Sequence, residues 1–123
     1  MGRSAEQNDL LTTEMCEPHD FWLHLADGPG AHVVVRNPQK AAALPREIEL
    51  LAAGLAARFS KARRAGWVTV HLAQGLDVQK RRGQPPGEVT LRRYRKIRVR
   101  PLDDASFSQL REWTRGSSSG AGS

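Results

Sequence analysis

Asp20-Phe21-Trp22-Leu23-His24-Leu25, the connection Ala26-Asp27-Gly28-Pro29-Gly30, and Ala31-His32-Val33-Val34-Val35-Arg36 form the stretch whose reading decides the fold. Two runs alternate with period two around a Gly/Pro turn, the pattern of an antiparallel hairpin. With Gly28 at the centre of symmetry, Phe21 faces Val35, Leu23 faces Val33, Trp22 faces Val34, His24 faces His32 and Asp20 faces Arg36. One face is then wholly apolar: Phe21, Leu23, Leu25, Val33 and Val35. The other gathers an indole, two imidazoles and an opposite-charge pair. A slip of one residue would turn the imidazoles into the core, so the register is strongly specified.

Outward from the hairpin, the longest helical pattern runs through Leu44, Ile48, Leu51, Leu55, Phe59 and Ala62, at spacings of four, three, four, four and three. That is one apolar stripe at helical period. Pro45 suits its first turn. Ala52, Ala53, Ala56 and Ala57 let it lie close to a sheet, and Gly66 is placed to end it. Before the hairpin, Ser4-Ala5-Glu6-Gln7 has the form of a capping box. It opens a short helix over about Ala5 to Met15, with Leu10, Leu11 and Met15 on an apolar side. Asn8 and Asp9 lie mid-helix, where their side chains compete with backbone bonding, so a tertiary role and plain solvation stand level for them.

Beyond the long helix, Trp67 to Ala73 alternates again, with Val68, Val70 and Leu72 on one side and Trp67, Thr69 and His71 on the other. A turn at Gln74-Gly75 leads to a short strand over Leu76 to Lys80, then a basic loop to Gly87. Val89 and Leu91 mark one further strand, Ile97 and Val99 another. Arg93 and Arg95 share the parity of those apolar residues, so an unbroken strand would bury them. The reading places a turn at Arg93-Tyr94-Arg95, which leaves both exposed. Pro101 ends the sheet, and Asp103 or Asp104 caps a last helix with Phe107, Leu110 and Trp113 inward. The class is α+β: a mostly antiparallel sheet of about five to six short strands, with one long helix and one or two short helices packed on one face.

The net charge of +6 on 123 residues is unevenly spread. Residues 80 to 100 hold nine bases (Lys80, Arg81, Arg82, Arg92, Arg93, Arg95, Lys96, Arg98 and Arg100) and one acid, Glu88. That segment carries +8, which leaves the rest of the chain at −2. Such asymmetry points to a polyanion, most often nucleic acid. Cys16 is the single cysteine, so an internal disulfide is impossible. No apolar run nears the ~18 residues that span a membrane. Met1 to Glu6 lacks the apolar core of a secretory signal, and the expectation is a cytoplasmic protein with no membrane contact.

Several motifs then come together. Gly2-Arg3-Ser4 with Gln7-Asn8-Asp9-Leu10-Leu11-Thr12 resembles the "GRNxxxNDxLT" opening of the NFACT RNA-binding (NFACT-R) family. Asp20-Phe21-Trp22-Leu23-His24 is similar to its "D-apolar-WLH", and Gly30-Ala31-His32-Val33-Val34-Val35 to its "GSHVVI". Ser60-Lys61-Ala62-Arg63, Val78-Gln79-Lys80 and Pro86-Gly87-Glu88-Val89 resemble its later motifs. Ser4 and Ala31 stand where the family usually has Asn and Ser. The resemblance runs from about Gly2 to Pro101. It implies an RNA-binding domain over residues 1–102; the helix over 103–115 has no counterpart in the family, and the Gly/Ser composition of 116–123 makes a flexible tail. The resemblance also implies the setting of the family, the C-terminal domain of ribosome quality-control factors, with tRNA or rRNA on the ribosome as partner. A protein partner is expected to supply the family's other domains.

On this reading the RNA-binding residues are Arg3, Asn8, Asp20, Trp22, His24, His32, Arg36, Lys80, Arg81, Arg82, Arg92, Arg93, Arg95, Lys96 and Arg98. Arginines meet phosphates, and an exposed indole or imidazole stacks on an unpaired base. Four other readings compete. One is an adaptor that presents tRNA to a separate modifying enzyme. Another is catalysis on RNA by Asp20, His24 and His32 as acid, base and orienter. A third is a metal held by the same three residues, although no established ligand spacing is present. The last is a basic face for an acidic protein. Nothing nominates a nucleophile, so the expectation is a binding module with no enzyme activity, no metal and no cofactor.

Overall fold

The computed structural model describes residues 4–10, 12, 15–28, 30–61 and 63–109. Arg3, Leu11, Ala62, Leu110, Trp113 and the tail over 116–123 lie outside the described residues. The elements are α1 (Ala5–Leu10), β1 (Phe21–Leu25), β2 (Val33–Val35), α2 (Arg46–Arg58), β3 (Val68–Gln74), a 3-10 turn (Gly75–Asp77), β4 (Val78–Gln79), β5 (Thr90–Leu91) and β6 (Arg95–Val99), with a short helix over 104–109. Four strands make one antiparallel sheet in the order β2-β1-β3-β6, and β4 and β5 pair separately. The fold is α+β.

The hairpin has the register its sequence demands: Phe21 opposite Val35, Trp22 opposite Val34, Leu23 opposite Val33. Gly28 sits in its turn at φ +88°, a backbone region open chiefly to glycine. The apolar face of the sheet (Phe21, Leu23, Leu25, Val33, Val70, Leu72, Ile97 and Val99) packs on Ala52, Ala53, Ala56 and Ala57 of α2 in one core.

That contact corrects the expected helix stripe. The face of α2 that is most buried is Glu49, Ala52, Ala53, Ala56 and Ala57, while Leu51 is exposed and Leu55 only half-buried. Small side chains let the helix backbone approach the sheet, and the larger leucines fill its flanks. The helix also stops at Arg58, with Phe59 as its C-cap, well before Gly66. Leu102 follows the last strand onto the helix, its N–H donating to the Gly54 carbonyl at 3.1 Å.

At the N-terminus the capping box forms, the Gln7 N–H donating to Ser4 Oγ at 3.1 Å and the Ser4 N–H to Gln7 Oε1 at 3.3 Å. The α-helix is described over Ala5–Leu10, Thr12 and Met15 are in π-helical conformation, and Leu10 and Met15 are exposed. Leu76 belongs to the 3-10 turn, so β4 is shorter than expected. A Cβ on Gly75 would lie 2.2 Å from the Glu17 carbonyl oxygen, so only glycine lets this turn close on the connector before β1. The turn expected at Arg93-Tyr94-Arg95 is a bend at Arg92 and Arg93, and Arg95 opens β6 opposite Leu72.

Candidate nucleic-acid interface

The face of the sheet opposite α2 is polar. Its β1 residues are Trp22 and His24, with His32 beside them. The strand register adds Thr69, His71 and Ala73 from β3 and Lys96 and Arg98 from β6. One row runs from His32, just before β2, through His24 and His71 to Lys96. The His24 and His32 rings lie 4.7 Å apart, edge to face, as the hairpin symmetry requires.

The half of this face near β2 is closed. Asn8 spans the segment before β2, donating from Nδ2 to the Gly30 carbonyl at 3.0 Å and accepting from the His32 N–H at 3.0 Å. A side-chain amide so placed acts as a short extra strand. Trp22 Nε1 donates to Thr12 Oγ1 at 3.1 Å and leans on His32 Nδ1 at 3.3 Å, and Thr12 Oγ1 lies 2.8 Å from that same Nδ1. Trp22 is 2% exposed and His32 0%. The expectation that Asn8, Trp22 and His32 touch RNA is therefore corrected: they are buried, and their polar atoms hold the N-terminal segment onto the sheet.

Asp20 is likewise structural. Its carboxylate accepts from the Glu17 N–H at 3.0 Å, the Asn37 N–H at 2.8 Å and Arg36 Nη1 at 3.1 Å. Burial opposes the charge, but the two backbone donors and the guanidinium outweigh it and hold the carboxyl below its ordinary value. Arg36 thus spends its charge on Asp20, although its side chain stays open to solvent. Four residues of strand separate Asp20 from His24, about 13 Å at ~3.3 Å per residue. The triad on which the catalytic and metal alternatives rest is not brought together. Among the described residues, no three of His, Cys, Asp and Glu are placed to hold a metal ion. Burial pushes the Cys16 thiol up to about 11, far from thiolate reactivity.

The basic segment divides. Lys80 Nζ donates to the carbonyls of Pro85 and Glu88 and shapes the loop. Arg95 lies on the α2 side of β6 and pairs with the buried carboxylate of Glu49, which also binds Arg46 at 2.8 Å. Each of the two meets an acceptor that the local pattern does not reveal, while the Arg95 side chain stays open to solvent. Arg81, Arg82, Arg92, Arg93, Lys96 and Arg98 are exposed, and among the described residues no hydrogen bond or ion pair engages their charged ends.

Between the open half of the face and the β4–β5 lobe runs a cleft of about 1070 Å³. His24, His71 and Tyr94 line it, Pro86 to Val89 form one wall, and Lys61 and Arg63 stand at the end of α2. Burial, and then the charge of His71, hold His24 below its ordinary value against backbone hydrogen bonds with Gly30 and Leu25. Burial and the Lys96 ammonium do the same to His71, opposed by Asp27. The Tyr94 and His71 rings meet at 4.5 Å between centroids, tilted by 47°. His71, Tyr94, Lys61 and Arg63 are absent from the RNA-binding residues expected from sequence, although the Ser60–Arg63 motif and the shared parity of His71 and Trp67 pointed toward them.

The family matched over residues 1–93 is the NFACT protein RNA binding domain. Among curated proteins, the chain is 38% identical over 104 residues to "Rqc2 homolog RqcH" of Streptococcus suis (strain 05ZYH33), covering 85% of this chain and 18% of that protein. It is 37% identical over 105 residues to "Rqc2 homolog RqcH" of Bacillus subtilis (strain 168), with the same coverage. The chain thus spans under a fifth of these relatives' length. A solved structure, the C-terminal of the fibronectin/fibrinogen-binding protein from Streptococcus suis, superposes with a TM-score of 0.78 at 37% identity, over 87% of this chain and 42% of that one.

Proposed function

The chain belongs to the NFACT RNA-binding domain family, and from that premise we propose that it binds structured RNA, tRNA or rRNA on the ribosome, through phosphate contacts and without catalysis. The observation that carries the reading is the set of exposed, unengaged cations Arg81, Arg82, Arg92, Arg93, Lys96 and Arg98 in a chain whose positive excess lies in residues 80–100. The relatives named RqcH support a setting in ribosome quality control and a cytoplasmic location. No helix among the described residues is long and apolar enough to cross a membrane.

The test is a titration of the chain with labelled tRNA and with an rRNA stem-loop over a range of salt. Four to six engaged phosphates give a slope of log affinity against log salt of about −3 to −5, at ~0.7 to 0.9 per phosphate. Co-sedimentation with large ribosomal subunits, weakened by the same salt, is the companion result. Failure to bind either RNA at low salt, or a slope near zero, overturns the reading.

A further inference from the structure

The open half of the polar face carries more than charge. Tyr94 leans on the His71 ring at one end of the β3–β6 pair. At the other end Trp67, one residue before β3, continues the parity of Thr69 and His71, with the Arg100 guanidinium 5.1 Å from its ring centroid. Trp67 is 55% exposed and Tyr94 46%. Along β6 between them the outward residues are Lys96, opposite His71, and Arg98, opposite Thr69. Continued through the strand register, Tyr94 and Trp67 are six strand residues apart, about 20 Å at ~3.3 Å per residue. A large indole left this open on a folded domain is unusual, since tryptophan is mostly buried.

We infer that this β3–β6 face is a stacking platform for an unpaired RNA strand, with one base on Tyr94, another on Trp67, and the intervening phosphates on Lys96 and Arg98. The inference rests on the RNA-binding reading above and narrows it, because phosphate contacts alone do not require unpaired bases. Charge complementarity selects a polyanion, and two exposed rings at the two ends of the β3–β6 pair select one with free π-faces. A duplex keeps its bases stacked inside and offers these rings nothing.

The experiment uses a stem-loop RNA with an unpaired loop and a blunt duplex of equal phosphate number, read by anisotropy and tryptophan emission. Trp67→Ala and Tyr94→Ala each weaken the stem-loop at least about fivefold, the lower end for base–aromatic stacking, and leave the duplex within about twofold. Trp67→Phe and Tyr94→Phe bind like the parent, which separates stacking from misfolding. Stem-loop binding quenches tryptophan emission in the parent, and Trp67→Phe loses that quench while keeping affinity. Alanine variants that weaken both RNAs equally, or neither, overturn the platform, and a normal salt slope in those same titrations leaves the phosphate-binding reading standing. Quenching by polyglutamate and not by the stem-loop assigns the face to an acidic protein and overturns it. No binding to any RNA overturns platform and reading together.

Discussion

The polar face of the sheet has two halves that look alike in sequence and differ in everything else. Over β1 and the start of β2, Trp22 and His32 are covered by Asn8 and Thr12, and every one of these residues spends hydrogen bonds on its neighbours. Over β3 and β6, Trp67, Tyr94, Lys96 and Arg98 face solvent. Alternation assigns a residue to a face, but only what lies on the face decides whether it meets a partner. Buried polar atoms need bonds inside the protein, so the closed half is committed to the fold. The open half is available to a ligand.

The largest expected effect falls on the closed half. Trp22→Ala removes a buried indole and costs about 3–5 kcal/mol of stability, measured by chemical denaturation, while RNA affinity per folded molecule is unchanged. A small stability loss, or an affinity loss in fully folded protein, would erase the contrast between the halves. Next comes Arg95→Ala, which removes a charge-assisted bond from the buried Glu49 and costs about 1.5–3 kcal/mol. Arg93→Ala, two residues away and unpaired, changes stability by less than about 0.5 kcal/mol. Equal losses from the two substitutions would show that Glu49 does not distinguish them.

A smaller effect comes from the imidazoles between the halves. Burial holds His24 and His71 below 6.5 in the folded chain. The unfolded chain therefore takes up protons first as pH falls. Stability is full above about 6.5 and declines toward the depressed folded values. Thermal unfolding between pH 7.5 and pH 5 should show this decline, reduced in His24→Gln and His71→Gln. Parent and variants that lose stability in parallel would place the titration elsewhere.

The hairpin was legible because its register is a matter of parity, and the parity of Phe21 to Leu25 and Val33 to Val35 permits one answer. The concentration of charge in residues 80–100 was legible because it needs only counting. The close approach of Ala52, Ala53, Ala56 and Ala57 to the sheet was legible, whereas the leucine stripe is not the most buried face of α2, because small side chains take the contact and Leu51 stays exposed. Arg95 and Arg93 share a parity and a residue type. The partner that separates them is Glu49, 46 residues away in the chain. The roof over Trp22 depends in the same way on Asn8 and Thr12, ten or more residues distant. Only the tertiary structure brings such pairs together.

The most direct test of the division is the salt slope of RNA binding in two variants, Arg92→Gln/Arg93→Gln on the open surface and Thr12→Ala under the closed half. Loss of two phosphate contacts makes the slope shallower by about 1.4 to 1.8, at ~0.7 to 0.9 each, and Thr12→Ala keeps the parent slope. An unchanged slope in the double variant, or a shallower one in Thr12→Ala, contradicts the account.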